Sequence, residues 1–147
     1  MSYTSKNAVG TTLTFASSTT AIPGSEVPQK VLVGDTSGGL SIYRSIDVNA
    51  TGVNVKSSAG QVYGWYLFNT GSQTRYVKLY NKATAPTVGT DTPVMTIPLP
   101  AGGGANVFSD IGLAFSSGIG IGATQGVADN NTSAPASNEV LAHIYYK

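Results

Sequence analysis

The chain has no cysteine, only one histidine and few charges. Its 147 residues contain eight Lys or Arg and seven Asp or Glu. Without cysteine there are no disulfides, no thiol nucleophiles and no Cys-based zinc sites. His143 alone cannot build a histidine metal site without several carboxylates beside it. Charged residues make up 10% of the chain, against about 25% in an average domain. They are scattered, so no basic cluster marks a nucleic-acid or anionic-membrane footprint. No run approaches 18 uninterrupted apolar residues, so no membrane-spanning helix is expected. The opening residues carry neither a basic region nor an apolar core, and no secretory signal is expected there.

The carboxylates are equally sparse. Glu26, Asp35, Asp47, Asp91, Asp110, Asp129 and Glu139 stand apart in sequence, each beside turn residues or a strand end. Acidic turn residues commonly bond their own backbone, so a glycosidase-type carboxylate pair is not expected. "DNNTS" and "DTSGG" lack the charge density of a calcium loop. No serine sits in a G-x-S-x-G elbow, and His143, on the face of Leu141 and Tyr145, reads as a half-buried structural side chain. Neither a catalytic residue nor a cofactor or metal is expected.

One motif invites a different reading. Gly118, Gly120 and Ala123 spell G-x-G-x-x-A, a form of the dinucleotide fingerprint. That fingerprint needs a helix opening directly after the glycines, with its amides facing a pyrophosphate. "TQGVADNNTSAPASNE" follows instead and offers no helical periodicity. The alternative is a strand with Ile119 and Ile121 on one face and Gly118, Gly120 and Gly122 on the other. Glycine inside a strand often marks the close approach of another backbone.

What the chain does have is period-2 patterning broken by turn residues. Strands are expected near 11–16, 30–33, 40–48, 52–56, 61–69, 74–81, 92–97, 105–108, 112–115, 118–123 and 139–146. With 18 glycines and seven prolines between and within them, the pattern predicts an all-β antiparallel sandwich or jelly roll with little or no helix. Residues 1–29 read either as an extended arm or as a first strand with loose flanks, and 30–147 as the β-sandwich domain. Pro93, Pro98 and Pro100 put the strand at 92–97 at a sheet edge or end it early.

"QVYGWYLFNTGSQTRYVKLYN" is the strongest hairpin signal. Strict alternation puts Val62, Tyr66 and Phe68 on one face of its first strand, and Tyr63, Trp65 and Leu67 on the other. Both faces are apolar, so a central strand covered on both sides is expected, with a neighbouring subunit as one possible cover. In the second strand Val77 and Leu79 face in, opposite Tyr76, Lys78 and Tyr80. The tyrosines and Trp65 suit protein contacts or, alternatively, stacking on a sugar.

The block "VYGWYLFNTGSQTRYVKLYNKATAPTVGTDTPVMTIPLPAGGG", continued by "FSDIGLAFSSGIGIGATQG" and "NEVLAHIYYK", resembles a family of small tailed-bacteriophage virion proteins. The resemblance covers about residues 53–147, and the run from Asn69 to Gly104 is its specific part. It implies a non-enzymatic structural role as a capsid decoration (cement) protein that binds the major capsid protein and stabilises the shell. The expected location is the capsid exterior of a virion made in the bacterial cytoplasm. A homo-oligomer is expected, with a trimer favoured, and neither nucleic acid nor membrane as partner. Tyr63, Trp65, Tyr66, Tyr76, Tyr80, Gly118, Gly120 and Gly122 are the candidate interface residues. The runner-up is a glycan-recognition module of a head or tail fibre.

Overall fold

The alternating segments become strands in the computed structural model, which describes residues 39–147 and the two strands Tyr3–Lys6 (β1) and Thr12–Phe15 (β2). β1 and β2 pair antiparallel, Tyr3 opposite Phe15 and Lys6 opposite Thr12. They belong to one unit, Met1–Thr36, and the remaining strands to a second, Ser37–Lys147. β2 coincides with the expected segment at 11–16. β1, "YTSK", has no apolar alternation to announce it. The expected strand at 30–33 lies outside the described residues.

The second unit holds eight strands: β3 (Ser41–Ser45), β4 (Val53–Lys56), β5 (Gly60–Asn69), β6 (Arg75–Asn81), β7 (Met95–Leu99), β8 (Gly104–Phe115), β9 (Ile119–Thr124) and β10 (Val140–Tyr146). No helix occurs among the described residues. One sheet has the order β3-β10-β5-β8 and the other β4-β9-β6-β7. First pairs with last throughout: β3 with β10, β4 with β9, β5 with β8, β6 with β7. A single long antiparallel ribbon is thus rolled up, and rolling adds the pairs β5–β10 and β6–β9. That winding is a jelly roll.

Period-2 alternation sorts the side chains between core and outside. Trp65, Leu67, Val140, Ala142 and Ile144 from the first sheet meet Val77, Leu79, Leu99, Ile119 and Ile121 from the second. Each buried Val, Leu or Ile among them contributes about 1.5–3 kcal/mol. Pro98 sits in β7, an edge strand of the second sheet, where a missing N–H costs no ladder bond.

Two expectations need correction along the β5–β8 pair. The segments at 105–108 and 112–115 are one strand. Between Val62 and Gly64 the ladder on β8 jumps from Leu113 to Phe108, so residues 109–112 leave the pairing as an excursion. Gly112 there adopts φ +70°, a conformation glycine reaches without steric cost, and its N–H donates to Ser109 Oγ at 3.3 Å. The irregularity also breaks strict alternation on β5. Val62 therefore turns to the core, at 1% exposure, together with Trp65 and Leu67 rather than with Tyr66 and Phe68.

Candidate functional site

The outer faces of the two sheets differ. On the second sheet the outward row of β6 and β9 comprises Lys78, Tyr80, Gly120 and Gly122, and the chain's own loops cover it. Pro86 and Val88, from the β6–β7 loop, are buried against it. A Cβ on Gly120 would stand 3.0 Å from Pro86 Cδ, and one on Gly122 2.7 Å from Val88 Cγ2. The same loop is pinned by Asp91, which accepts from Lys82 Nζ and, at 2.6 Å, from the Thr87 N–H. The hydrogen bond from Lys82 holds the Asp91 carboxyl below its ordinary range.

The β9–β10 loop completes this cover. Fully buried Lys78 donates from Nζ to the Ala128 carbonyl at 2.6 Å. Burial pushes its pKa down, opposed by the charge of Asp129. Tyr80 is 1% exposed, and its hydroxyl finds no hydrogen-bond partner among the described residues. Its pKa is pushed up to about 12, chiefly by burial and further by Asp129 and Asp91.

Several candidate interface residues are therefore corrected. Gly118, Gly120 and Gly122 do admit a close approach, but the approaching chain is their own. A Cβ on Gly118 would meet Lys82 O at 2.5 Å and Lys56 O at 2.7 Å. Tyr80 lies beneath the loops. Trp65, 7% exposed, belongs to the core, which also removes it as an exposed sugar platform. The G-x-G-x-x-A spacing begins just before buried strand β9 and runs through it, and a loop follows rather than a helix.

Among the described residues no loop covers the outer face of the first sheet in this way. Register places Arg44, His143, Tyr66 and Asn106 in one cross-strand row, and Ile42, Tyr145, Gly64 and Phe108 in the next. Tyr66 is 41% exposed, and its ring lies 5.8 Å from that of His143 at 38°. His143 is half-buried. Because Gly64 has no side chain, Phe108 lies against its backbone, and Phe108, Tyr66, Asn106 and Tyr145 border a shallow groove. Tyr63 and Tyr76 are half-buried; the Tyr63 hydroxyl donates to Gln61 Oε1 at 2.6 Å. Of the eight candidates, Tyr66 alone is an exposed member of this open face.

Phe108 and Ile111, 65% and 82% exposed, are more prominent than any residue singled out from sequence. The available signal was "NVFSDIGL", an apolar stretch interrupted by an acid and a glycine rather than by a true turn.

No three His, Cys, Asp or Glu residues gather as a metal site among the described residues. The carboxylates there mostly serve structure. Glu139 pairs with Arg75, Asp91 with Lys82, and Asp47 Oδ1 accepts from the Asn138 N–H at 3.0 Å. Glu26 and Asp35 lie outside the described residues. No family model matches the chain, and no curated protein or solved structure matches it.

Proposed function

We propose that the chain is a non-enzymatic bacteriophage virion protein, a capsid decoration protein that binds the major capsid protein and stabilises the shell from outside. The observation that carries this reading is the contrast between the sheet faces. One is sealed by the chain's own loops, while the other carries exposed apolar and aromatic side chains over half-buried ones. Exposed apolar groups gathered on one face mark an interaction surface. Scarce charge adds support, because short uncharged side chains lose little rotamer entropy when covered. A jelly roll occurs in both viral capsid and lectin domains, so the fold alone does not choose between structural and sugar-binding roles. The resemblance of residues 53–147 to small phage virion proteins supports the structural one. Self-association, as a trimer, belongs to the proposal because icosahedral shells offer threefold and quasi-threefold positions.

The test adds purified protein to capsids stripped of it and follows particle disruption with temperature. Rebinding with restored resistance supports the proposal; absence of binding refutes it. A glycan-recognition module of a fibre is the second reading, favoured by the aromatic groove between Phe108 and Tyr145. Glycan-array binding abolished by Tyr145→Ala, with no affinity for capsids, would support that reading instead.

A further inference from the structure

Side chains cross the outer face of the first sheet in rows, and the charge on that face is confined to one of them. Arg44, His143, Tyr66 and Asn106 form the middle row. On one side of it Leu141 stands opposite Phe68. On the other, Ile42, Tyr145 and Phe108 line up around Gly64. Arg44, exposed, thus brings a single charge between two apolar rows.

No carboxylate of the described residues answers that charge. β3, β5 and β10 contain no Asp or Glu, and Asp110 of β8 sits in the excursion at 109–112, outside the paired rows. Asp47, beyond the end of β3, accepts from the Asn138 N–H. The ion pairs among the described residues, Arg75–Glu139 and Lys82–Asp91, lie elsewhere.

Aromatic residues and arginine are enriched in protein interfaces, where other charges are depleted. Arginine suits such a place because its guanidinium is weakly hydrated and meets a carboxylate through two parallel hydrogen bonds.

We propose that this face docks on a protein surface that presents a carboxylate to Arg44, set among apolar groups that meet Ile42, Tyr145 and Phe108. The inference rests on the functional reading and deepens it: the major capsid protein carries that acidic, apolar patch. Charge complementarity selects this occupant. A second copy set face to face in a twofold contact would bring Arg44 to a face without an acid. Nucleic acid and anionic membranes are held by several cations together, and this face has one. A neutral sugar leaves the guanidinium without a counter-charge.

Binding of the full chain to capsids stripped of it tests this, with Arg44→Gln, Phe108→Ala and Val127→Ser. Val127 belongs to the β9–β10 loop, which covers the second sheet, and serves as control. All three side chains are exposed, and unchanged circular dichroism verifies that each variant folds. Arg44→Gln is expected to weaken binding at least about thirtyfold, as loss of one partner of a desolvated charge pair does. Phe108→Ala should weaken it at least about tenfold, as truncation of an aromatic anchor does. Val127→Ser should bind like wild type. Added salt should weaken the wild type more than Arg44→Gln, because only the wild type has the charge pair to screen. If the wild type binds and either Arg44→Gln or Phe108→Ala binds equally well, the inference is overturned while the functional reading stands. Equal salt dependence of wild type and Arg44→Gln overturns it in the same way. A wild type without affinity for capsids overturns both.

Discussion

Arg75 and Glu139 clamp the two sheets together. Arg75 opens β6 in one sheet, Glu139 immediately precedes β10 in the other, and they meet through two contacts, Nη2 to Oε1 at 2.8 Å and Nε to Oε2 at 2.9 Å. The side chains are 12% and 8% exposed. Glu139 also accepts from the Ala136 N–H at 2.7 Å. Glu139→Gln leaves the guanidinium without its counter-charge and is expected to cost about 3 kcal/mol, the lower end for breaking a buried pair. Urea denaturation of both proteins at pH 7 measures it.

The same pair sets an acid limit on stability. The hydrogen bond from Arg75 holds the Glu139 carboxyl below its ordinary value, against the opposing effect of burial and with help from the Ala136 amide. A lowered folded-state pKa stabilises the fold above the unfolded value, about 4.3 for glutamate. That contribution disappears as pH falls through the folded value. Melting temperature should therefore drop more steeply below about pH 4.3 in the wild type than in Glu139→Gln.

Trp65→Ala is expected to cost about 3–5 kcal/mol, the range for truncating a buried large aromatic, because Trp65 packs in the core. Thermal denaturation decides it. A variant that melts like wild type would contradict the placement of Trp65.

The glycines in and just before β9 should rank by what their Cβ would meet. Gly118→Ala pushes a methyl group against the backbones of Lys82, Lys56 and Ala83, while Gly122→Ala meets the side chain of Val88 first. Backbone cannot yield as a side chain can, so Gly118→Ala should cost toward about 3 kcal/mol and Gly122→Ala nearer about 1 kcal/mol. Equal melting temperatures for the two variants would contradict the ranking.

These positions also mark how far the sequence alone could be read. Alternation located nearly every strand of the sandwich and the opposed faces of Ile119–Ile121 and Gly120–Gly122, because period 2 is a local property of the chain. It did not tell which chain approaches the glycines, since Pro86 and Val88 are more than thirty residues from Gly120 and only the rolled ribbon brings them there. The inward turn of Val62 was hidden for a related reason: an excursion on β8 disturbs the pairing of β5. Tyr80 and Tyr66 both stand among the candidate interface residues, yet one is sealed by loops and the other is open. Loop cover is a tertiary property with no local period. Edge exposure, which singles out Phe108 and Ile111, follows from strand order and is equally invisible in local pattern.

Tyr80→Phe is expected to be neutral or to stabilise by about 1 kcal/mol at pH 7, because a buried hydroxyl without a partner carries an uncompensated desolvation cost. At high pH the two proteins diverge further. A tyrosine pKa raised to about 12 in the fold means that the wild type loses stability as pH rises from about 10, the unfolded value. The phenylalanine variant lacks this contribution to the loss. Urea midpoints at pH 7 and pH 11 check both halves.

The proposed role places this chain on phage particles, and cryo-electron microscopy of intact virions tests it most directly. The expected map places the jelly roll on the outer capsid surface, at threefold or quasi-threefold positions, as trimers contacting the major capsid protein. Density for this chain only at a fibre tip, in a few copies per particle, or its absence from the particle would contradict a decoration protein.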